Sequence, residues 1–299
     1  MRLGVSTEHL LQHHFIALDF DSFTPFHLDE LRLVAIPRFC SFNFVVGTAP
    51  TLCMNVILNS LIPREQVSKS AEQGVRWTME DTYTVANGGH FAAVFDGHGG
   101  SGVSGMLRDH VHRLYSKALY QRHGEETQRS ALDEMQVDED DENGTVESKN
   151  ATGSVPSIKS HIASIRGALK RIERESMRHD HFEYQGSTAV VVLVHVGENG
   201  DRTLVSANIG DSRAILCRGR KAVDLTRDHK PSDEREKARI RSMGEDVQWD
   251  PYGEIYRVKD LSLSRAIGDR FAKPVVSSEA EIDCLPVNDE EDEFFVSAS

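Results

Sequence analysis

Four apolar segments between residues 188 and 225 are joined by connections of only a few residues, and this pattern most constrains the fold. The segments span 188–196, 203–209, 213–217 and 221–225. Parallel neighbours need a crossover of a dozen or more residues, whereas turns such as Gly210-Asp211 connect only antiparallel strands. The sequence therefore predicts an antiparallel meander here.

Further elements surround this meander. Strands are predicted over 75–85 and 90–96, and the apolar run from Phe91 to Phe95 is typical of a strand buried on both faces. Apolar residues recur every three or four positions over 103–118 and 158–172, which predicts two amphipathic helices, and 233–243 predicts a short third one. Because the helices flank the strands rather than alternate with each, the expected class is α+β.

Two segments differ from the rest, and we divide the chain accordingly. Residues 1–66 show no clean period and form an N-terminal extension, whereas 67–299 form one domain with a disordered acidic insertion at 124–157. The stretch 39–63 carries no charge and is long enough to span a bilayer, but asparagines and a proline interrupt it. We expect no membrane anchor; an anchor through this segment is the alternative.

Net charge excludes one broad class of partner. The chain has 34 Lys+Arg against 47 Asp+Glu, a formal charge of −13, which argues against a general nucleic-acid binder and suits a site that gathers divalent metal. Its four cysteines form no disulfide framework, and the first 14 residues lack the pattern of a signal peptide. We therefore expect a cytoplasmic or nuclear protein.

Three short motifs combine residues that chemistry needs. In residues 94–100 (V-F-D-G-H-G-G), Asp96 ends a buried strand and can bridge hard cations, with the Gly97 carbonyl as a further oxygen ligand; an ordinary Asp-Gly turn is the alternative. Within the strand predicted over 75–85, Arg76 and Glu80 face the same side, which suits a phosphate and a metal or only an ion pair. Gly-Asp at 210–211 is also a common hairpin turn.

Six segments, taken in order, resemble the metal-dependent type-2C protein serine/threonine phosphatases. They are 75–81 (V-R-W-T-M-E-D), 94–100 (V-F-D-G-H-G-G), 186–190 (G-S-T-A-V), 208–213 (N-I-G-D-S-R), 225–231 (L-T-R-D-H-K-P) and 263–269 (L-S-R-A-I-G-D). The resemblance covers about residues 70–299. It implies a central antiparallel β-sandwich flanked by helices, two Mg²⁺ or Mn²⁺ ions, and a metal-activated water that hydrolyses phosphoserine or phosphothreonine in phosphoprotein substrates.

The same resemblance implies a role for each matching residue. Asp96 would bridge both metals, with Gly97 offering its carbonyl and Glu80 binding the second metal with support from Asp81. His98 would be the general acid, and Arg76 would clamp the phosphate. Asp211 matches a ligand of a third, weaker metal. Thr188, Arg265 and Asp269 match positions that we interpret as structural or supporting.

The last segment of the sequence departs from the family pattern. Family members continue residues 294–299 with an Asp-Gly pair whose Asp binds the first metal, followed by a closing helix and strand. We therefore expect an incomplete first-metal site, low activity, and an exposed sheet edge at 294–299. The predicted function is a monomeric protein phosphatase. The alternatives are an inactive phosphoprotein-binding module and an acidic interaction protein.

Overall fold

The structure is a computed structural model that describes the backbone of residues 17–18, 33–34, 54–60, 67–73, 77–137 and 155–299. Side chains are described for residues 67–73, 77–128 and 155–299. Arg76 and most of the predicted N-terminal extension lie outside these residues.

The described chain contains seventeen strands and three α-helices. The strands are β1 (Ala17–Leu18), β2 (Leu33–Val34), β3 (Met54–Ser60), β4 (Val67–Glu72), β5 (Thr82–Ala86), β6 (Phe91–Phe95), β7 (Gly97–His98), β8 (Gly186–Ser187), β9 (Ala189–Val196), β10 (Arg202–Ile209), β11 (Arg213–Arg218), β12 (Lys221–Asp224), β13 (Gln248–Asp250), β14 (Ile255–Arg257), β15 (Ile267–Gly268), β16 (Glu281–Pro286) and β17 (Asp292–Ala298). The helices are α1 (Gly102–Val137), α2 (Ile158–Ser176) and α3 (Glu234–Ser242).

Two five-stranded antiparallel sheets form the centre of the fold, as expected for the α+β class. The first has the order β16-β10-β9-β6-β5 and the second has the order β12-β11-β17-β3-β4. The predicted antiparallel hairpins β9-β10 and β11-β12 are both present. The prediction of one continuous meander is wrong, because β10 and β11 belong to different sheets. The chain passes between the sheets at Gly210, whose φ of 105° suits a glycine.

Strand β6 explains how the layers are held together. All five of its residues are fully buried, which confirms the prediction of a strand covered on both faces. Phe91, Ala93 and Phe95 pack with residues of α1 and α2, whereas Ala92 and Val94 pack with the second sheet. Alternate side chains of one strand therefore join the helical layer to the sandwich.

The strand at the end of the sequence has a neighbour on each side, so the predicted exposed edge is wrong. Strand β17 pairs with β11 and also with β3. Strand β3 comes from residues that the sequence analysis assigned to the N-terminal extension, within the uncharged stretch 39–63. The other residues of that stretch lie outside the described chain. No helix in the described part of the chain is long and apolar enough to cross a membrane.

The helices largely agree with the periodicity. In α2, Ile165, Leu169 and Ile172 form the predicted buried stripe, and the Ser157 hydroxyl caps the helix by accepting the Ser160 N–H at 3.1 Å. Helix α1, however, continues through Val137, so the first part of the predicted disordered insertion at 124–157 is helical. Residues 138–154 of that insertion lie outside the described chain.

Candidate active site

A small three-stranded sheet brings together distant parts of the sequence at one end of the sandwich. It has the order β15-β8-β7, and each strand has only two residues. Next to it, the Asp96 N–H donates to the Thr188 hydroxyl at 3.0 Å, and the Thr188 N–H donates to the Asp96 carbonyl at 2.9 Å. These bonds fix the backbone at which β6 ends and Asp96 begins the site.

A cavity of about 260 Å³ lies at this end of the sheets. The predicted site residues Glu80, Asp96, Gly97, His98 and Asp211 all line it, so five of the six predicted site residues share one cavity. The sixth, Arg76, lies outside the described residues, and its predicted role as a phosphate clamp stays a prediction.

Asp96 is the electrostatic centre of the cavity. Burial, together with the negative charges of Asp81 and Asp211, raises the pKa of the Asp96 carboxyl to about 7, and the charge of His98 opposes the rise. Three carboxylates near one another favour a positive partner between them. The cavity is therefore suited to a cation.

His98 is held by a carboxylate that is far away in sequence. Its Nε2 lies 2.7 Å from Oδ2 of Asp269, whose side chain is fully buried. Burial lowers the pKa of His98, but the hydrogen bond that its ring donates to Asp269 and the charges of Asp269, Asp96 and Asp211 outweigh burial, so the pKa is raised above its ordinary value. This pairing favours a protonated imidazole that can donate a proton.

Close backbone packing places Gly97 beside the segment that carries Glu80. A Cβ built on Gly97 would collide with the Glu80 carbonyl oxygen and would lie 2.7 Å from the Ser104 hydroxyl. That hydroxyl donates to the same Glu80 carbonyl at 2.5 Å. Glu80 lies outside any strand, so the prediction that it shares a strand face with Arg76 is wrong. The glycine allows the two ligand-bearing segments to approach each other.

Asp81 is a buried neighbour of Asp96. Only 5% of Asp81 is exposed, and its Oδ2 accepts a hydrogen bond from the Ser299 hydroxyl at 3.0 Å. Strand β17 therefore leads to the same end of the sandwich as β6.

The donor set fits a hard divalent cation. Glu80, Asp96 and Asp211 supply carboxylate oxygens and Gly97 supplies a carbonyl oxygen, which are the ligands that Mg²⁺ and Mn²⁺ prefer. Among the described residues, no three His, Cys, Asp or Glu side chains meet closely enough to enclose an ion. The agreement therefore rests on the kind and charge of the donors.

Sequence reasoning missed three contributors to the site. Arg257 and Asp260 line the cavity, and Lys230 forms an ion pair of 2.5 Å with Asp211. Asp269, interpreted from the sequence as structural or supporting, is the partner of His98. The sequence held a signal for two of these four residues, because Lys230 and Asp269 lie within the motifs at 225–231 and 263–269, whereas Arg257 and Asp260 lie in none.

The two other supporting positions have distinct partners. Thr188 also bonds the Ser212 hydroxyl at 2.7 Å, next to Asp211. Arg265 lies away from the cavity and pairs with Oε1 of the buried Glu236 at 2.5 Å. Arg265 is therefore a structural residue, whereas Thr188 connects two segments of the site.

Comparisons with known proteins agree with the arrangement. A family model described as Protein phosphatase 2C matches residues 65–299. The rice (Oryza sativa subsp. japonica) protein named "Probable protein phosphatase 2C 30" is 35% identical over 231 residues, which is 76% of this chain and 53% of the relative. "Protein phosphatase 2C 16" of Arabidopsis thaliana is 34% identical over 71% of this chain and 38% of its own length. The chain thus spans about half or less of the length of these relatives.

Solved structures share the fold. A structure described as a C. elegans sex determining protein matches with a TM-score of 0.53 and 23% identity, over 81% of this chain and 50% of that one. A phosphatase from a pathogenic strain of Toxoplasma gondii matches with a TM-score of 0.52 and 19% identity, over 82% of this chain and 75% of that one. At these identities the likeness shows the fold alone.

Proposed function

The chain belongs to the protein phosphatase 2C family, and from that membership we propose that it hydrolyses phosphoserine and phosphothreonine in phosphoproteins in a metal-dependent reaction. The observation that carries the proposal is the shared cavity of Asp96, its neighbouring carboxylates and the His98–Asp269 pair. It combines oxygen donors of the kind that a divalent cation prefers with a histidine whose partner favours its protonated form.

Glu80, Asp96, the Gly97 carbonyl and Asp211 are the residues that would hold Mg²⁺ or Mn²⁺. When bound, such ions supply positive charge beside the phosphate and a water of lowered pKa. The expectation that one of the two metal sites is incomplete, and therefore binds its ion weakly, stays a prediction. A titration that found two tight Mn²⁺ sites would contradict it.

His98 has the properties required of a general acid. The buried Asp269 orients the imidazole and favours its protonated form, so that the ring can give a proton to the serine or threonine oxygen as the phosphate ester breaks. A poor leaving group such as an alkoxide needs this proton, whereas an aryl oxide needs it much less. The contribution of His98 should therefore depend on the leaving group.

The first experiment measures Mn²⁺-dependent hydrolysis of a phosphothreonine peptide by residues 1–299. We expect activity that requires Mn²⁺ and is lost in Asp96→Asn. Asp224→Asn, which removes an exposed carboxylate from β12, is the matched control and should keep wild-type activity. Activity without metal, or activity retained in Asp96→Asn, would contradict the proposal.

A second comparison tests the role of His98. We expect His98→Gln to slow hydrolysis of the phosphothreonine peptide by about 10²-fold or more, and hydrolysis of an aryl phosphate by much less. Equal losses on both substrates would argue against a general acid. Mn²⁺-dependent binding of the phosphopeptide without hydrolysis would instead favour the inactive binding module.

A further inference from the structure

We propose that Lys230 neutralises the Asp211 carboxylate by an ion pair within the protein. The lysine thereby competes with a divalent ion for that carboxylate. The inference rests on the proposed function, since it concerns ions in the same cavity. The lysine would thereby set the metal concentration at which Asp211 becomes available.

The contact itself is direct. Nζ of Lys230 lies 2.5 Å from Oδ2 of Asp211, and Asp211 lines the same cavity as Glu80 and Asp96. An ammonium group at this distance occupies one of the two carboxylate oxygens that a metal ion would use. A lysine and a divalent ion on one carboxylate would also repel each other, so the two cations exclude one another in large part.

The backbone around Lys230 holds the lysine in reach of Asp211. The preceding residue, His229, is fully buried and forms two hydrogen bonds with Gly210. The backbone N–H of His229 donates to the Gly210 carbonyl at 2.9 Å, and Nδ1 of its ring accepts from the Gly210 N–H at 3.1 Å. The other ring nitrogen lies 2.8 Å from Oε2 of Glu281. Residues 229 and 210 are thus locked together, which keeps the residues that follow them, Lys230 and Asp211, in the same region.

Further hydrogen bonds join the two segments that carry Asp211 and Lys230, residues 208–213 and 227–230. Arg213 donates two hydrogen bonds to Asp228, at 2.7 and 3.0 Å, and the Asn208 amide donates to the Arg227 carbonyl at 2.7 Å. The ion pair between Lys230 and Asp211 therefore lies at the end of a series of bonds between the two segments. The bonds fix the backbone positions from which the two side chains meet, while the lysine side chain itself stays partly exposed.

The pair is open enough to be displaced. The lysine side chain is 44% exposed and also borders a separate groove of about 850 Å³, whereas the aspartate side chain is 19% exposed. Lys230 can therefore swing into solvent when an ion arrives. A half-exposed pair of this kind contributes little to stability, so removing the ammonium should tighten ion binding by about fivefold rather than by orders of magnitude.

The test is Mn²⁺ binding to the full chain, measured by electron paramagnetic resonance of the free ion. We expect Lys230→Met to tighten the weakest Mn²⁺ site about fivefold, because the methionine keeps an unbranched side chain and removes the charge. Lys230→Arg keeps the positive charge and should bind Mn²⁺ as the wild type does. Lys221→Met removes an exposed lysine from β12 and controls for the change in net charge.

A double substitution locates the effect. In an Asp211→Asn background, Lys230→Met should leave Mn²⁺ affinity unchanged, because the shared carboxylate is gone. Equal tightening in Lys230→Met and Lys221→Met, or the same tightening without Asp211, would overturn the proposal about Lys230. Absence of Mn²⁺ binding in every variant, with folding verified by circular dichroism, would overturn the proposed metal-dependent function and this inference with it.

Discussion

Acidification from pH 7 to pH 5 should destabilise the protein through His161, a residue of α2 remote from the candidate active site. Its side chain is 8% exposed and lies between Tyr115 of α1 and His195 of β9. In the tautomer protonated at Nε2, the ring accepts from the Tyr115 hydroxyl at 2.6 Å and donates to Nδ1 of His195 at 3.3 Å. A second proton would disturb this buried chain of neutral groups.

The pKa of His161 gives the sign and size of the effect. Burial, together with the charge of His195, lowers this pKa from 6.5 to about 4, and the charge of Glu126 opposes the change. As the pH falls below 6.5, the unfolded chain takes up a proton that the folded protein does not bind until about pH 4. Stability is therefore full above pH 6.5 and is lost as the pH falls, by about 2 kcal/mol between pH 7 and pH 5.

Urea unfolding at a series of pH values measures this contribution. His161→Gln removes the titrating ring and leaves an amide oxygen that can accept from Tyr115, so its unfolding free energy should fall by about 2 kcal/mol less than that of the wild type. His181→Gln, at an exposed histidine, should follow the wild type. Parallel pH profiles for the wild type and His161→Gln would refute the reasoning.

Three further predictions concern other parts of the molecule. Glu236→Gln should lower the unfolding free energy by about 3 kcal/mol in urea unfolding at pH 7, because it leaves two arginines at a buried site without their carboxylate. Asp269→Asn should lower the pKa of His98, which nuclear magnetic resonance titration of the imidazole would measure; an unchanged pKa would contradict the role of the pair. Gly97→Ala should lower the midpoint of thermal unfolding because its Cβ collides with backbone, whereas Gly167→Ala, which meets nothing within 4 Å in α2, should raise it slightly.

The sequence predicted strands and helices best where burial against another layer requires apolar residues at regular positions. Strand β6 and helix α2 are both covered by other layers, and their apolar residues stand where the patterns require. The strand predicted over 75–85 is wrong over 77–81, where Trp77 is 99% exposed and Met79 is only partly buried. Hydrophobic alternation indicates a strand only where a second layer packs against it.

The acidic segment shows a different limit. Its first residues continue α1 as far as Val137, although their charge suggested a disordered loop from 124. Glutamate, glutamine, arginine and alanine are good helix formers, so a charged stretch of these residues is compatible with a solvated helix as well as with a loop. Composition alone could not place the end of α1.

The residues of the candidate site could be predicted where they are adjacent in the sequence. They could not be predicted where the pairing of strands brings distant residues together. Asp96, Gly97 and His98 follow one another and carry a recognisable motif. Asp269 reaches His98 only because β7, β8 and β15 align, and strands of two residues have no period to detect. The exact partner of Asp211 likewise depends on the bonds between His229 and Gly210, which join residues 19 positions apart.

These cross-sheet contacts also explain why the carboxylates stay close together despite their repulsion. Asp96 is fixed by its backbone bonds to Thr188, and Asp211 is fixed by the turn at which the chain leaves the first sheet for the second. Neither backbone position can move away without breaking these bonds. The fold therefore maintains an unfavourable concentration of negative charge, which Lys230 offsets at Asp211 and His98 offsets at Asp96. Relief of the remaining repulsion favours cation binding, and the same scaffold that brings the acids together thereby supplies part of the affinity for the ion.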